Sequence, residues 1–354
     1  MQESGLDTMG PVEKNALKAD IKAGLDNKIA LAASAPRFHI WKWIRIPVAA
    51  AILMAAAVGA YYALQLDGPR QSSQQPAANN TVNIPPGGNH AVLTMGDNSV
   101  VKLDEQSEGV FAREDGAVIR KNKNGEITYT HDGTASTGVF NTITTPRGGQ
   151  YRLILADGTK VWLNAASWLK FPAVFQGANR SVEVYGEVYF EVAKDMKRPF
   201  VVKSRNQEVE VLGTHFNMNT YEDEPFDKTT LLEGSIKISS LGADGHVHAT
   251  QILTPSQIAA IEKGSSSIRV TAADVEEAVA WKNGYFKFHK TDLKSFMRQV
   301  SRWYNLEVVY QGNFDQDLFS GKINRTDSVS GVLKILQLSN INAMIKGRTI
   351  IISN

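Results

Sequence analysis

From about residue 89 to residue 270 the chain alternates apolar and polar residues with a period of two, in short runs separated by Gly, Pro, Asn and Asp. Successive side chains of a strand point to opposite faces, so runs of this kind bury one face each and must pair to do so. Tyr151, Leu153 and Leu155 alternate up to Asp157-Gly158, and Val161 and Leu163 alternate away from it, which is a hairpin signature. Residues 88–104 (GNHAVLTMGDNSVVKLD) align with residues 148–164 (GGQYRLILADGTKVWLN) at an offset of 60, and so predict two hairpins of one design. Further strands are expected at Val182 and Val184, at Val188, Phe190 and Val192, at Val209 and Val211, and over residues 231–238. Together these define an all-β domain over 89–270, a sandwich or a short solenoid.

The pattern then changes. After a connector over 271–281, residues 285–288 read as a strand, and Leu293, Phe296, Met297, Val300 and Tyr304 fall on one helix face. Strands follow over 306–310 and 319–323. Val329, Val332, Leu333 and Leu336 repeat the helical spacing, and residues 343–352 close as a hairpin over Lys346-Gly347. The predicted order is β-α-β-β-α-β-β over 282–354, a small α/β domain with both helices on one face of a small sheet.

Upstream, residues 46–66 run for 21 positions without a charge, enough at about 1.5 Å per residue to cross a hydrocarbon core of roughly 30 Å. Trp41 and Trp43 on one side and Tyr61 and Tyr62 on the other suit the two interfaces, and Arg37, Lys42 and Arg45 on the N-terminal flank place the N-terminus in the cytoplasm. An Ala-rich buried helix and a cleaved signal peptide are the competing readings. Residues 67–88, rich in Pro, Gln, Asn, Ser and Gly, form a linker. In the tail 1–45, Leu17, Ile21 and Leu25 lie on the apolar stripe of a helix over 12–33, which suits either a partner's groove or an anionic membrane surface. The expected fold class is therefore membrane-anchored: one transmembrane helix, then the all-β domain and the small α/β domain, with the C-terminus in a bacterial periplasm.

Composition excludes several classes. With 38 basic and 36 acidic residues there is no large field to hold nucleic acid, and without cysteine there are no disulfides or thiolate sites. Glu183, Glu187 and Glu191 could suggest a glycosidase pair, but they alternate with apolar residues and read as the solvent face of two strands. His246 and His248 lack a third metal ligand, and the run Glu222-Asp223-Glu224 lacks the spacing of a calcium loop and reads as a solvated connection. Neither a metal nor a cofactor is expected, and no phosphate loop, dinucleotide fingerprint or nucleophile elbow occurs.

At Thr144-Thr-Pro-Arg-Gly-Gly-Gln150, and on through LILADGTKVWLNAASWLKFP, VEVYGEVYFEVAKD, EVEVLGTHFNMNTY and KTTLLEGSIKIS, the chain closely resembles the FecR family of transmembrane anti-sigma factors. The segments AVAWKNGYFKF, FMRQVSRWYNLEVVY and VLKILQLSN are similar to the companion domain of Bacteroidota members, itself like the short N-terminal domain of secretins and TonB-dependent receptors. The resemblance implies a relay from an outer-membrane TonB-dependent transducer to a cytoplasmic ECF sigma factor. Phe296, Arg298, Trp303 and Tyr304 are then the residues expected to meet the transducer, and Leu17, Ile21 and Leu25 those expected to meet the sigma factor. Relatives usually carry a longer cytoplasmic domain than the 45 residues before the span, so either residues 12–33 suffice or the reading frame begins late. The resemblance also implies a self-cleavage bond, here Gly213-Thr214, where a hydroxyl could attack the preceding carbonyl; a glycine turn between strands is the alternative. Three other functions stay open: a carbohydrate-sensing module with Trp162 or Trp168 as platform, a cell-wall hydrolase with a carboxylate pair in a cleft, against which the alternation of Glu183 to Glu191 argues, and a secretin-like assembly subunit.

Overall fold

The computed structural model describes residues 83–134, 137–314 and 318–353, and residues 80–354 form one compact unit. Nineteen strands build two sheets. The first runs in the order β17 (Val247–Leu253), β16 (Ile236–Leu241), β13 (Gln207–Val211), β12 (Phe200–Lys203), β10 (Arg180–Tyr185), β9 (Trp168–Pro172), β6 (Phe140–Thr144), β1 (Val92–Thr94) and β2 (Val100–Lys102). The second runs β19 (Ile268–Ala272), β18 (Gln257–Glu262), β15 (Phe226–Glu233), β14 (His215–Asn219), β11 (Glu187–Glu191), β8 (Lys160–Leu163), β7 (Tyr151–Ile154), β5 (Ile127–His131), β4 (Ala117–Lys121) and β3 (Gly109–Glu114).

The inner faces meet in one core that includes Leu93, Ile143, Leu169 and Val202 from the first sheet and Ile119, Leu153, Phe190 and Phe216 from the second. Strict alternation is what makes this arrangement available, since each strand sends every second side chain inward. From β9 onward the chain lays hairpins alternately into the two sheets, each beside an earlier neighbour: β12 on β10, β14 on β11, β16 on β13 and β18 on β15. The sandwich therefore grows along its length as a solenoid does.

The repeat is visible in hydrogen bonds. Met95 and Leu155 amides donate to Ser99 and Thr159, and Asn98 and Gly158 amides donate back to Met95 and Leu155. Asp97 and Asp157 each accept the amide two residues on, so both turns close alike. Asp157 also holds the buried Arg180 guanidinium at 2.8 Å, which ties this turn to the first sheet.

The C-terminal elements are α1 (Val275–Ala278), β20 (Tyr285–Asp292), α2 (Leu293–Tyr304), β21 (Glu307–Gln311), β22 (Leu318–Asn324), α3 (Val329–Leu338), β23 (Asn342–Lys346) and β24 (Thr349–Ser353). Instead of one small sheet there are two, β20 with β22 and β21-β24-β23, because β21 pairs in parallel with the distant β24. Their shared core includes Phe296, Val300, Val332 and Ile350, and also Ile84 from the segment expected to be linker.

The membrane-anchored fold class is corrected here. The described residues are mostly β-sheet with three short helices, and none of these helices is long and apolar enough to cross a membrane. The longest, α2, has 12 residues and reaches only about 18 Å. The span expected over 46–66, and the helix carrying Leu17, Ile21 and Leu25, lie outside the described residues.

Candidate functional site

A cluster of charged side chains lies where the C-terminal domain meets the sandwich. Helix α2 is started by Asp292, whose carboxylate accepts the Ser295 amide at 2.8 Å, and ended by Asn305 in the left-handed conformation at φ 51°. Its apolar stripe enters the domain core, which leaves Arg298 and Arg302, four residues apart, on the flank facing the loop 220–224.

Arg302 Nη1 donates to both Asp223 oxygens at 2.8 and 2.9 Å, and Nη2 donates to Glu224 Oε1 at 2.6 Å. Arg298 donates to the other Glu224 oxygen through Nε at 2.9 Å and Nη2 at 2.7 Å. The Arg302 guanidinium also lies 3.9 Å above the Tyr221 ring. Burial works against its charge, but Tyr221, Glu224 and Asp223 outweigh burial and hold its pKa above the ordinary arginine value. The run Glu222-Asp223-Glu224 is thus not a solvated connection, since two of its three acids clamp another domain.

Two further contacts complete the joint. The Thr-Pro-Arg-Gly-Gly segment meets the end of α2: Arg147 Nη2 donates to the Ser301 and Leu306 carbonyls at 2.8 and 2.7 Å, and the Gly148 amide donates to the Arg302 carbonyl at 2.8 Å. Below them, Arg325 is buried against Trp303, 3.8 Å from the ring, and donates to Asn164 Oδ1 at 2.8 Å. Burial pulls its pKa down to about 10.

Glu187 sits at the centre. Asn164 and Asn217 each donate an amide hydrogen to it, at 2.7 and 3.1 Å. Both amides are fixed in orientation, because Asn164 Oδ1 is occupied by Arg325 and Asn217 Oδ1 accepts the Trp281 indole at 3.1 Å. Only a group that accepts at both oxygens matches two locked donors. The residue is half-buried as a whole, yet the carboxyl itself is capped by the amides. Burial raises its pKa against the lowering effect of both hydrogen bonds. Its expected place on a solvent face is corrected: the outer face of β11 is covered here by the C-terminal domain, whereas Glu183 does stay on the surface, paired with Lys170 at 3.7 Å.

Of the residues expected to meet a transducer, Phe296, Trp303 and Tyr304 are at most 4% exposed, and Arg298 is committed to Glu224. Gly213 and Thr214 lie at the crossover from β13 to β14. Gly213 has φ 154°, and a Cβ there would stand 2.9 Å from the Lys194 Cα. The Thr214 hydroxyl donates to the Ser235 carbonyl at 3.1 Å. His248, at the start of β17, is 3.6 Å from Asp244 in the turn before it, and no three potential metal ligands cluster among the described residues. Arg147, Arg302, Arg325 and Tyr221 were missed as joint residues. The i, i+4 arginines opposite the apolar stripe were the available signal.

The described residues thus form a two-layer sandwich clamped through arginines to a small α/β domain. Residues 141–237 match the family profile described as FecR protein, and residues 285–352 match that described as FecR, C-terminal. Both of these regions are therefore FecR-family sequence. Two crystal structures of a candidate anti-sigma factor from Parabacteroides distasonis ATCC 8503 are similar to it. One is 28% identical with a TM-score of 0.55, covering 60% of this chain and 97% of that one. The other is 27% identical with a TM-score of 0.56, covering 61% and 99%. No curated protein matches the chain.

Proposed function

We propose that the chain is an anti-sigma factor that relays a signal from the periplasmic signalling domain of an outer-membrane TonB-dependent receptor to a cytoplasmic ECF sigma factor. The FecR-family matches and the likeness to a candidate anti-sigma factor support a sigma-regulating role. The observation that carries the mechanism is that α2, the helix expected to meet the transducer, is held in the joint by Asp223, Glu224 and Arg147. A receptor domain that engages α2 must compete with these contacts, so binding and opening of the joint are linked. Asp223, whose side chain is 54% exposed, can exchange Arg302 for water as the joint opens.

In this reading the chain performs no chemistry on another molecule. Gly213-Thr214 is the one bond assigned to self-cleavage, and the mass of the protein recovered from cells tests it: an intact chain alone overturns that assignment. The relay is tested by purifying the tagged full-length chain from its native cells and identifying what accompanies it, with and without residues 1–40. Recovery of a sigma factor and a TonB-dependent receptor, with the sigma factor alone lost on deletion, is the expected result. Recovery of neither rejects the relay.

A further inference from the structure

A groove of about 1120 Å³ opens where Trp168 and Tyr185 of the first sheet meet the loops that follow β12, β14, β16 and β18. The Trp168 and Tyr185 rings are nearly parallel, with an interplanar angle of 15° and centroids 6.3 Å apart, and both residues remain partly exposed. Volume of this size accommodates several sugar-sized units.

The charges around the groove decide what it suits. Glu183 is paired with Lys170, Lys203 with Glu208 at 3.2 Å, Arg205 with Glu222 at 2.8 Å, and Asp227 with Lys263. Every charged side chain lining it therefore has an opposite partner, and no net charge is left to attract an ion. What remains is an aromatic floor with a rim of donors and acceptors. The apolar C–H face of a pyranose packs on such a floor, while its hydroxyls exchange hydrogen bonds with the rim.

We propose that this groove binds a neutral oligosaccharide and that the loop 220–224 reports its occupancy to the joint. Alternate residues of that loop face the two sites. Thr220 and Glu222 line the groove, whereas Tyr221, Asp223 and Glu224 hold Arg302. The floor itself touches the joint, since Tyr185 packs edge-on against Tyr221 at 6.2 Å and 89°, and Tyr221 carries the Arg302 guanidinium. A sugar seated on Tyr185 and hydrogen-bonded to the Glu222 rim thus bears on both sides of the segment that clamps α2. The inference does not depend on the sigma-factor reading.

The test is titration of the full-length chain with maltohexaose, cellohexaose, xylohexaose and N-acetylated chitohexaose, with hexagalacturonate as the anionic counterpart. Binding is followed by tryptophan fluorescence and calorimetry. At least one neutral hexasaccharide should bind, more tightly than hexagalacturonate. Trp168→Ala should weaken it at least about tenfold, as loss of one stacking ring does elsewhere. Trp168→Tyr should keep most of the affinity, and Trp162→Phe, outside the groove, should change nothing. Hydrogen exchange of residues 220–224 and 298–306 should change on binding. No neutral hexasaccharide binding up to about 10 mM, preference for the anion, or affinity indifferent to Trp168→Ala with Trp168→Tyr would overturn the site. Binding with unaltered exchange at the joint would overturn the coupling.

Discussion

Replacing Arg302 by Ala removes three charge-assisted hydrogen bonds and the contact with the Tyr221 ring. Breaking a fully buried pair costs roughly 3–5 kcal/mol because the abandoned partner stays buried. Here the partners soften the loss. The Asp223 side chain is 54% exposed and regains water, while Glu224, 14% exposed, keeps both bonds from Arg298. The net expectation is about 2–3 kcal/mol, within the range for hydrogen bonds to charged groups plus a cation–π contact. Because the Gly148 amide binds the Arg302 backbone, and Arg147 the Ser301 carbonyl, the joint loosens without losing all its contacts. The open fraction should rise about 30- to 150-fold at 1.4 kcal/mol per decade. Hydrogen exchange on the full-length chain reads this as faster exchange at residues 220–224 and 298–306, with protection of the inner strands β8 and β11 unchanged. Arg302→Lys should recover only part of the protection, since an ammonium cannot reproduce the bidentate fork. Unaltered exchange at the joint in Arg302→Ala, or an equal loss across the sandwich core, would mean that Arg302 does not hold the joint closed.

The Glu187 carboxyl should titrate above the ordinary glutamate value of 4.5, because burial outweighs the two amide bonds. An acid whose folded pKa is raised contributes most to stability below 4.5 and loses that contribution as pH rises through the folded value. A carbon-detected titration of labelled glutamate checks this, and a midpoint at or below 4.5 contradicts it. Arg180→Ala should destabilise the sandwich by about 3–5 kcal/mol, leaving Asp157 buried and unpaired, as a lowered urea midpoint would show. Gly213→Ala should cost about 1–3 kcal/mol, since its Cβ would meet the Lys194 backbone at 2.9 Å and the φ of 154° suits glycine; an unchanged melting temperature would show that the crossover relaxes freely.

What was legible in the sequence was local. The turns at Asp97 and Asp157 could be read because a hairpin closes within a few residues, and the helix faces of α2 and α3 because their spacing repeats over two or three turns. The joint was not legible, because its partners are far apart along the chain: Arg302 meets Asp223 across 79 residues and Arg147 meets Ser301 across 154. Alternation placed Glu187 outward correctly but could not show that another domain covers that face. The same limit explains the single sheet expected at the C-terminus, since β21 finds β24 only through a long-range parallel pairing. In the 144–150 segment, Arg147 and Gly148 bind the end of α2, a role that family resemblance alone could not assign.

In the proposed relay, engagement of the C-terminal domain by a receptor opens the joint. This opening is tested most directly by adding the purified signalling domain of a TonB-dependent receptor from the same organism to the full-length chain and following hydrogen exchange. Binding is expected to bring faster exchange at residues 220–224 and at the Arg147-Gly148 contact, and the complex should be tighter with Arg302→Ala, whose joint is already loosened. Binding that leaves the joint as protected as before, or is weakened by Arg302→Ala, would contradict the opening.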